Sequence, residues 1–137
     1  HVYEAAHHLM EATGTQASDY AYAVFHQPNT KFPQRVAGML GFTPEQIKPG
    51  LLSPVIGNTY AAAAIIGLTA ILDAAKPGDR ILMTSFGSGA GSDAMALTVT
   101  EALEERRNRA PLTTDYIARR TQIDYATYVR YRGKLEE

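Results

Sequence analysis

The sequence has no cysteine in 137 residues. That excludes a disulfide scaffold, a cysteine-ligated zinc site, an iron–sulfur cluster and a thiolate nucleophile within this chain. An excess of either charge is missing as well: 13 Lys and Arg stand against 14 Asp and Glu, a net charge of −1. No bulk basic field recruits nucleic acid or an anionic lipid surface, and neither is expected as a partner. Long apolar runs are also lacking. The longest, Tyr60 to Leu72, covers 13 residues, short of the roughly 18 needed to cross a bilayer. The first residues show neither the basic region nor the apolar stretch of a signal peptide. His1, His7 and His8 have no partners at metal-ligand spacing, so no metal site is indicated. Repeats and low-complexity tracts are absent. The chain opens on His1 rather than Met, which reads as a processed, trimmed or partial product.

What is present is a domain's worth of apolar sequence, 45% of the residues, with only 20% charged. The charge is concentrated at one end. Residues 1–100 hold 5 basic and 7 acidic side chains, and residues 101–137 hold 8 and 7. The division predicts a core-rich body over 1–100 and a charged extension over 101–137 that packs on the body or on a partner.

Periodicity then places the elements. Residues 2–13 set Val2, Ala5, Ala6, Leu9 and Ala12 or Thr13 on one stripe opposite Glu4, His8 and Glu11, an amphipathic helix stopped by Gly14. Tyr20 to Phe25 reads as a strand. A helix follows from about Thr30 to Leu40, capped by Asn29 or Thr30, with Phe32, Val36 and Met39 or Leu40 inward and Gly41 closing it. Beyond a proline-containing loop, Asn58 to Ala75 is helical and apolar on every side, the mark of a helix buried all round. Arg80 to Phe86 and Ala94 to Thr100 are strands separated by the glycine-rich Gly87 to Gly91. A further helix is expected near Thr114 to Arg120. The order indicates an α/β fold with helices covering the sheet faces.

Several residues carry possible chemistry. Gly87-Ser88-Gly89-Ala90-Gly91-Ser92 lacks the Lys-Ser/Thr of a phosphate loop and leads into a strand, so a tight hairpin is the better reading. His26 ends the first strand, where sites lie in open α/β sheets, and imidazole there can donate a hydrogen bond or move a proton. It can equally be structural. Asn58 opens the apolar helix either as an ordinary N-cap or as a buried amide donor suited to a developing oxyanion. Lys31 is a solvated lysine or a cation reaching an anionic group. The tail's Tyr125, Tyr128 and Tyr131, interleaved with Arg130 and Arg132, suit packing and docking better than base stacking.

In sequence order these pieces resemble a known family. Phe25-His26-Gln27-Pro28-Asn29 with Lys31, Gly57-Asn58-Thr59-Tyr60, Pro77-Gly78-Asp79-Arg80, Ser85-Phe86-Gly87-Ser88-Gly89-Ala90-Gly91-Ser92-Asp93 and Ile123-Asp124-Tyr125-Ala126 through Lys134 are similar to the C-terminal half of the thiolase superfamily. Within it the nearest match is the archaeal-type hydroxymethylglutaryl-CoA synthases. The resemblance implies a thiolase-like half: a mixed sheet covered by helices, part of a five-layer α-β-α-β-α sandwich, here without that half's first strand. It implies condensation of acetyl-CoA with acetoacetyl-CoA in the mevalonate route, with CoA thioesters as substrates and no covalently bound cofactor. His26 would polarise the acetoacetyl carbonyl and Asn58 would hydrogen-bond the acyl oxygen. Lys31 would bind CoA, while Ser88 with Gly87 and Gly89 would line the substrate channel. The acetylated cysteine and the proton-handling glutamate would come from an N-terminal half that this chain lacks, leaving it inert alone. The helix at 58–75 would press against that half. A cytoplasmic homodimer is implied, with thiolase and an OB-fold/zinc-ribbon companion as in archaeal relatives. The alternatives are a ketoacyl-acyl-carrier-protein synthase III relative, or a non-catalytic half-domain that binds CoA or a partner.

Overall fold

In the computed structural model, which describes residues 1–134, the first helix forms where the apolar stripe predicts it. Helix α1 spans Val2–Thr13 and ends on Gly14, which takes the left-handed conformation at φ 61°. Strand β1 is Tyr22–Phe25, two residues shorter than its aromatic run because Ala17–Asp19 forms a turn of 3-10 helix just before it. Helix α2 is Lys31–Leu40. The proline loop is more ordered than expected: it holds α3, Pro44–Ile47, and α4, Ser53–Ile56, each with Pro in its first turn, a position where the missing N–H costs little. Helix α5 is Ala63–Ala74, preceded by a 3-10 turn at Tyr60–Ala62. The regular α-helix thus begins five residues after Asn58. Strands β2, Arg80–Thr84, and β3, Ala94–Thr98, follow. Three short helices complete the described chain: α6 at Ala102–Arg106, α7 at Thr113–Ala118 and α8 at Tyr125–Tyr131. The last three residues of the charged extension lie outside the described residues.

The sheet is mixed, in the order β1-β2-β3. β1 runs parallel to β2, with Ala23 opposite Leu82 and Phe25 opposite Thr84, and β3 returns antiparallel to β2. Strand periodicity sends alternate side chains to opposite faces, and the core divides accordingly. Ala23, Phe25 and Leu82 join Val2, Ala6 and Met10 of α1 and Val36 and Ala37 of α2. Val24, Ile81 and Met83 join Ala64 and Ile71 of α5 on the other side. Helices therefore cover both faces of the sheet, as the sequence predicts. Each strand of the parallel pair is buried on both faces, which is why both read as nearly continuous apolar runs.

Two expectations about helix faces need correction. In α2 the inward residues are Pro33, Val36 and Ala37; Phe32 is 37% exposed and Met39 also faces outward. Phe32 is turned towards a cavity described below, and of Met39 or Leu40 it is Leu40 that packs against the core. Helix α5 buries only one side, through Ala63, Ala64, Gly67 and Ile71, while Ile65 is 55% exposed.

The close approach of α5 to the sheet depends on Gly67. A Cβ there would lie 2.6 Å from the Gly50 carbonyl oxygen, 2.6 Å from a Val24 methyl and 2.9 Å from Nε2 of Gln27. Only glycine allows that contact. The following segment docks on the same helix. Arg107 donates to the carbonyls of Asp73 and Ala75, satisfying acceptors that a helix end leaves open. The Thr113 N–H donates to the Asp73 carboxylate at 2.7 Å, and the Thr113 hydroxyl to that of Thr69 at 3.0 Å.

Candidate active site

The parallel pair of strands carries its pairing one residue further, and that residue is His26. Its N–H donates to the Thr84 carbonyl at 2.8 Å, which fixes the backbone at the carboxyl end of β1. The ring lies between two aromatics. Phe86 is 5.5 Å away centroid to centroid, and Phe32 meets it edge-on at 6.5 Å. His26 is only 8% exposed. Its Nδ1 is enclosed and has no hydrogen-bond partner among the described residues, which leaves Nε2 as the nitrogen available to a ligand. Burial pushes the imidazole below its ordinary pKa of 6.5, because the charged form loses its hydration. At neutral pH the ring is uncharged and presents one N–H.

That ring borders a cavity of about 320 Å³ with His1, Val2, Pro28, Phe32 and Phe86. A mostly apolar wall with a few polar groups, here His26 and His1, is the usual make-up of a small-molecule site. Phe32 is recruited from the helix stripe to this wall, hence its partial exposure. Phe86 comes from the turn after β2. Neither is marked as a site residue by sequence reasoning, although an aromatic directly before a glycine-rich turn is a usable signal.

The other candidate residues are not part of this cavity's wall. Lys31 is the first residue of α2 and is exposed. The cap of that helix comes from Asn29, whose Oδ1 accepts from the Phe32 N–H at 3.0 Å. The glycine-rich segment closes on itself as a hairpin turn. Gly87 N–H donates to the Gly91 carbonyl at 2.9 Å, and Ala90 N–H to the Gly87 carbonyl at 3.1 Å. Ser92 donates to the Ser85 carbonyl at 2.6 Å. Ser88 and Gly89 are exposed near its tip, and Gly87 is half-buried at its base.

Asn58 departs from the buried-donor picture, because it is exposed in this chain. Its Oδ1 accepts from the Tyr60 N–H at 2.8 Å, the local bond typical of asparagine at a turn. That bond sits on an unusual backbone: Gly57 is at φ 74° and Tyr60 at φ 54°. A bulky residue at positive φ is strained. The amide nitrogen of Asn58 is not used by this bond.

One residue that matters here receives no role from the sequence. Gln27, beside His26, is 2% exposed, and its side chain bonds to Gly50, Leu52, Ser53 and Ala63. It lies beyond β1 among polar neighbours, so the sequence carries no signal of its burial.

Residues 10–99 match the profile of the family described as 3-oxoacyl-[acyl-carrier-protein] synthase III C terminal. The chain belongs to that family. Within a wider circle of relatives it is 57% identical over 133 residues to the hydroxymethylglutaryl-CoA synthase of Thermococcus kodakarensis, covering 97% of this chain and 38% of that protein. It is 55% identical over 135 residues to that of Methanocella arvoryzae, covering 98% and 39%. Aeropyrum pernix has another, 56% identical over 135 residues, covering 98% and 37%. The resemblance to archaeal hydroxymethylglutaryl-CoA synthases is thus shown along nearly the whole chain, which spans about two-fifths of the length of these relatives. Solved structures place the fold. An HMG-CoA synthase complexed with CoA superposes with a TM-score of 0.68 at 23% identity, over 90% of this chain and 35% of that one. The smu.943c protein of Streptococcus mutans UA159 gives 0.69 at 22%, over 94% and 39%. The architecture is thiolase-like, as the sequence motifs implied.

Proposed function

We propose that this chain forms the acceptor side of a hydroxymethylglutaryl-CoA synthase active site, an acyltransferase that condenses acetyl-CoA with acetoacetyl-CoA in the mevalonate route. The observation that carries the reading is the 55–57% identity to synthases of that name over 97–98% of the chain. The neutral, enclosed His26 beside an apolar cavity is consistent with it. In the addition step a carbanion derived from the acetyl methyl group attacks the ketone carbon of acetoacetyl-CoA. The new carbon–carbon bond forms as the carbonyl π pair moves onto oxygen. His26 Nε2–H donates to that oxygen as charge builds, and the unused amide of Asn58 supplies a second donor. Preorganised donors act most strongly where water is excluded. Lys31 lies outside the cavity, suited to the anionic part of CoA, and Ser88 with Gly87 and Gly89 border the channel.

The nucleophilic cysteine and the glutamate belong to a companion N-terminal half, since this chain has no cysteine. Its docking would cover the open side of α5. The chain alone is inactive on this reading, its substrates are CoA thioesters without a covalently bound cofactor, and its setting is a cytoplasmic homodimer associated with thiolase and an OB-fold/zinc-ribbon companion. Among the described residues no helix is long and apolar enough to cross a membrane. The segment 101–137 serves as the extension that packs on the body or a partner.

A second reading has its own support, because the matching profile is that of 3-oxoacyl-[acyl-carrier-protein] synthase III. It replaces acetoacetyl-CoA by a malonyl carrier-protein thioester. A third, a non-catalytic half-domain that binds CoA or a partner, has no chemistry to lose. The test uses the Thermococcus kodakarensis synthase with this chain in place of its own matching segment. His26→Ala is expected to lower condensation by about 10²–10³ while leaving cysteine acetylation intact. Equal loss of both steps overturns the role of His26. Turnover of malonyl carrier-protein in preference to acetoacetyl-CoA favours the second reading, and no turnover of either favours the third.

A further inference from the structure

Gln27 carries a primary amide in a place where water does not reach, 2% exposed. A buried amide left unpaired is costly, and both ends of this one are doubly paired. Nε2 donates to the Gly50 carbonyl at 2.7 Å and to the Ala63 carbonyl at 3.3 Å. Oε1 accepts from the N–H groups of Leu52 and Ser53 at 2.8 and 2.9 Å. That is the full capacity of the side chain.

The partners have a pattern. Leu52 and Ser53 open α4, and Ala63 opens α5. Between them runs the segment 54–62, which holds Asn58 and the positive-φ residues Gly57 and Tyr60. One side chain therefore fastens both ends of the segment that carries Asn58, and it is the side chain next to His26. Gly67 completes the arrangement. It lets the α5 backbone come against the Gly50 carbonyl and Gln27 Nε2, with no room for a Cβ. A segment strained at Tyr60 keeps its shape only while the surrounding structure holds it.

We infer that Gln27 is a positioning residue, clamping the Asn58 segment at both ends in register with His26. The inference rests on the reading of His26 and Asn58 as the two donors of the condensation step. Gln27 acts through the backbone and contributes no group to the cavity wall. Its effect belongs to the step that needs both donors, and not to cysteine acetylation.

The experiment again uses the Thermococcus kodakarensis synthase carrying this chain in place of its matching segment. Gln27→Leu removes all four bonds at similar volume. Gln27→Glu keeps the two accepted bonds and loses the two donated ones. For Gln27→Leu, kcat of condensation is expected to fall about 100-fold, the effect of a misplacement near 1 Å. Acetylation and KM for acetoacetyl-CoA should change little. Gln27→Glu should fall between, and its defect should shrink at lower pH, where the protonated carboxyl regains a donor. If Gln27→Leu does not fold, the Glu variant carries the comparison. Amide hydrogen exchange should quicken at residues 52, 53 and 57–62 and stay unchanged over β2. Parallel loss of acetylation and condensation, or no change in either, overturns the inference; so does unchanged exchange at 57–62. If the unmutated hybrid acetylates but does not condense, the condensation reading fails, and exchange in the two variants still decides whether Gln27 holds the segment.

Discussion

Between Phe32 and Phe86, the burial of the His26 imidazole also sets its protonation. Its pKa lies below the ordinary 6.5 because the charged ring is desolvated. Between those two values the unfolded chain binds more protons than the folded one, so stability rises with pH there. The contribution is therefore complete above about pH 6.5 and is lost as pH falls towards and through the folded value. An NMR titration of this ring in the full-length hybrid enzyme should show a midpoint below 6.5; a midpoint above it contradicts the enclosed site. The histidine itself is legible in the sequence, since it ends a strand in an α/β pattern. The two phenylalanines of its pocket are not, because an aromatic on a helix stripe and one bordering a turn look alike whether they face a core or a cavity. Asn58 departs from both of its sequence readings: it is exposed, and α5 starts only at Ala63 with Ala62 as its cap, while Asn58 Oδ1 accepts a local turn bond from the Tyr60 N–H.

At the scale of elements, periodicity carries a great deal and then fails for identifiable reasons. Helix α1 follows from spacing, although Met10 completes its buried face and Ala12 and Thr13 are exposed. Helix α5 has no polar stripe to orient it, so only packing shows which face meets the sheet. Gly67 marks that face. Gly67→Ala should destabilise the full-length hybrid by about 1–3 kcal/mol, the usual cost of overpacking a filled site, measured as a lower urea midpoint at unchanged slope. A midpoint equal to that of the parent would mean that the Gly50–Gly67 contact yields freely. Helix α8 gives a second prediction. Asp124 caps it through the Thr127 N–H at 2.8 Å and the Thr127 hydroxyl at 2.9 Å. Those bonds hold the carboxyl below its ordinary 3.8. The cap is intact above that value and fails as pH falls through the lowered one. Asp124→Ala should speed amide exchange at Thr127 and Tyr128 at neutral pH, whereas Asp124→Asn should leave it near the parent rate.

For the molecule as a whole, the uneven covering of α5 is the most informative feature. One side meets the sheet, the segment 103–113 reaches across Thr69 and Asp73, and Ile65 and Tyr60 remain open. A helix apolar on every side is suited to burial on every side, and the curated relatives are more than twice as long as this chain. Mixing the chain with the cysteine-bearing N-terminal portion of the Thermococcus kodakarensis synthase should therefore give a co-eluting complex with condensation activity. The chain alone should show none. Co-elution without activity would support a binding half-domain, and no association would remove α5 as the contact face.

By itself the sequence determined that no thiolate chemistry resides in this chain, that helices flank a sheet, and that His26 stands at a strand end. Absence of a residue type, periodicity and chain order need no third dimension to be read. Only the tertiary structure decided which side of α5 is buried, which aromatics enclose the imidazole, and that Gln27 bonds four backbone groups as far as 36 residues away. Those properties arise from contacts between segments distant in sequence, where local pattern carries no information about partners.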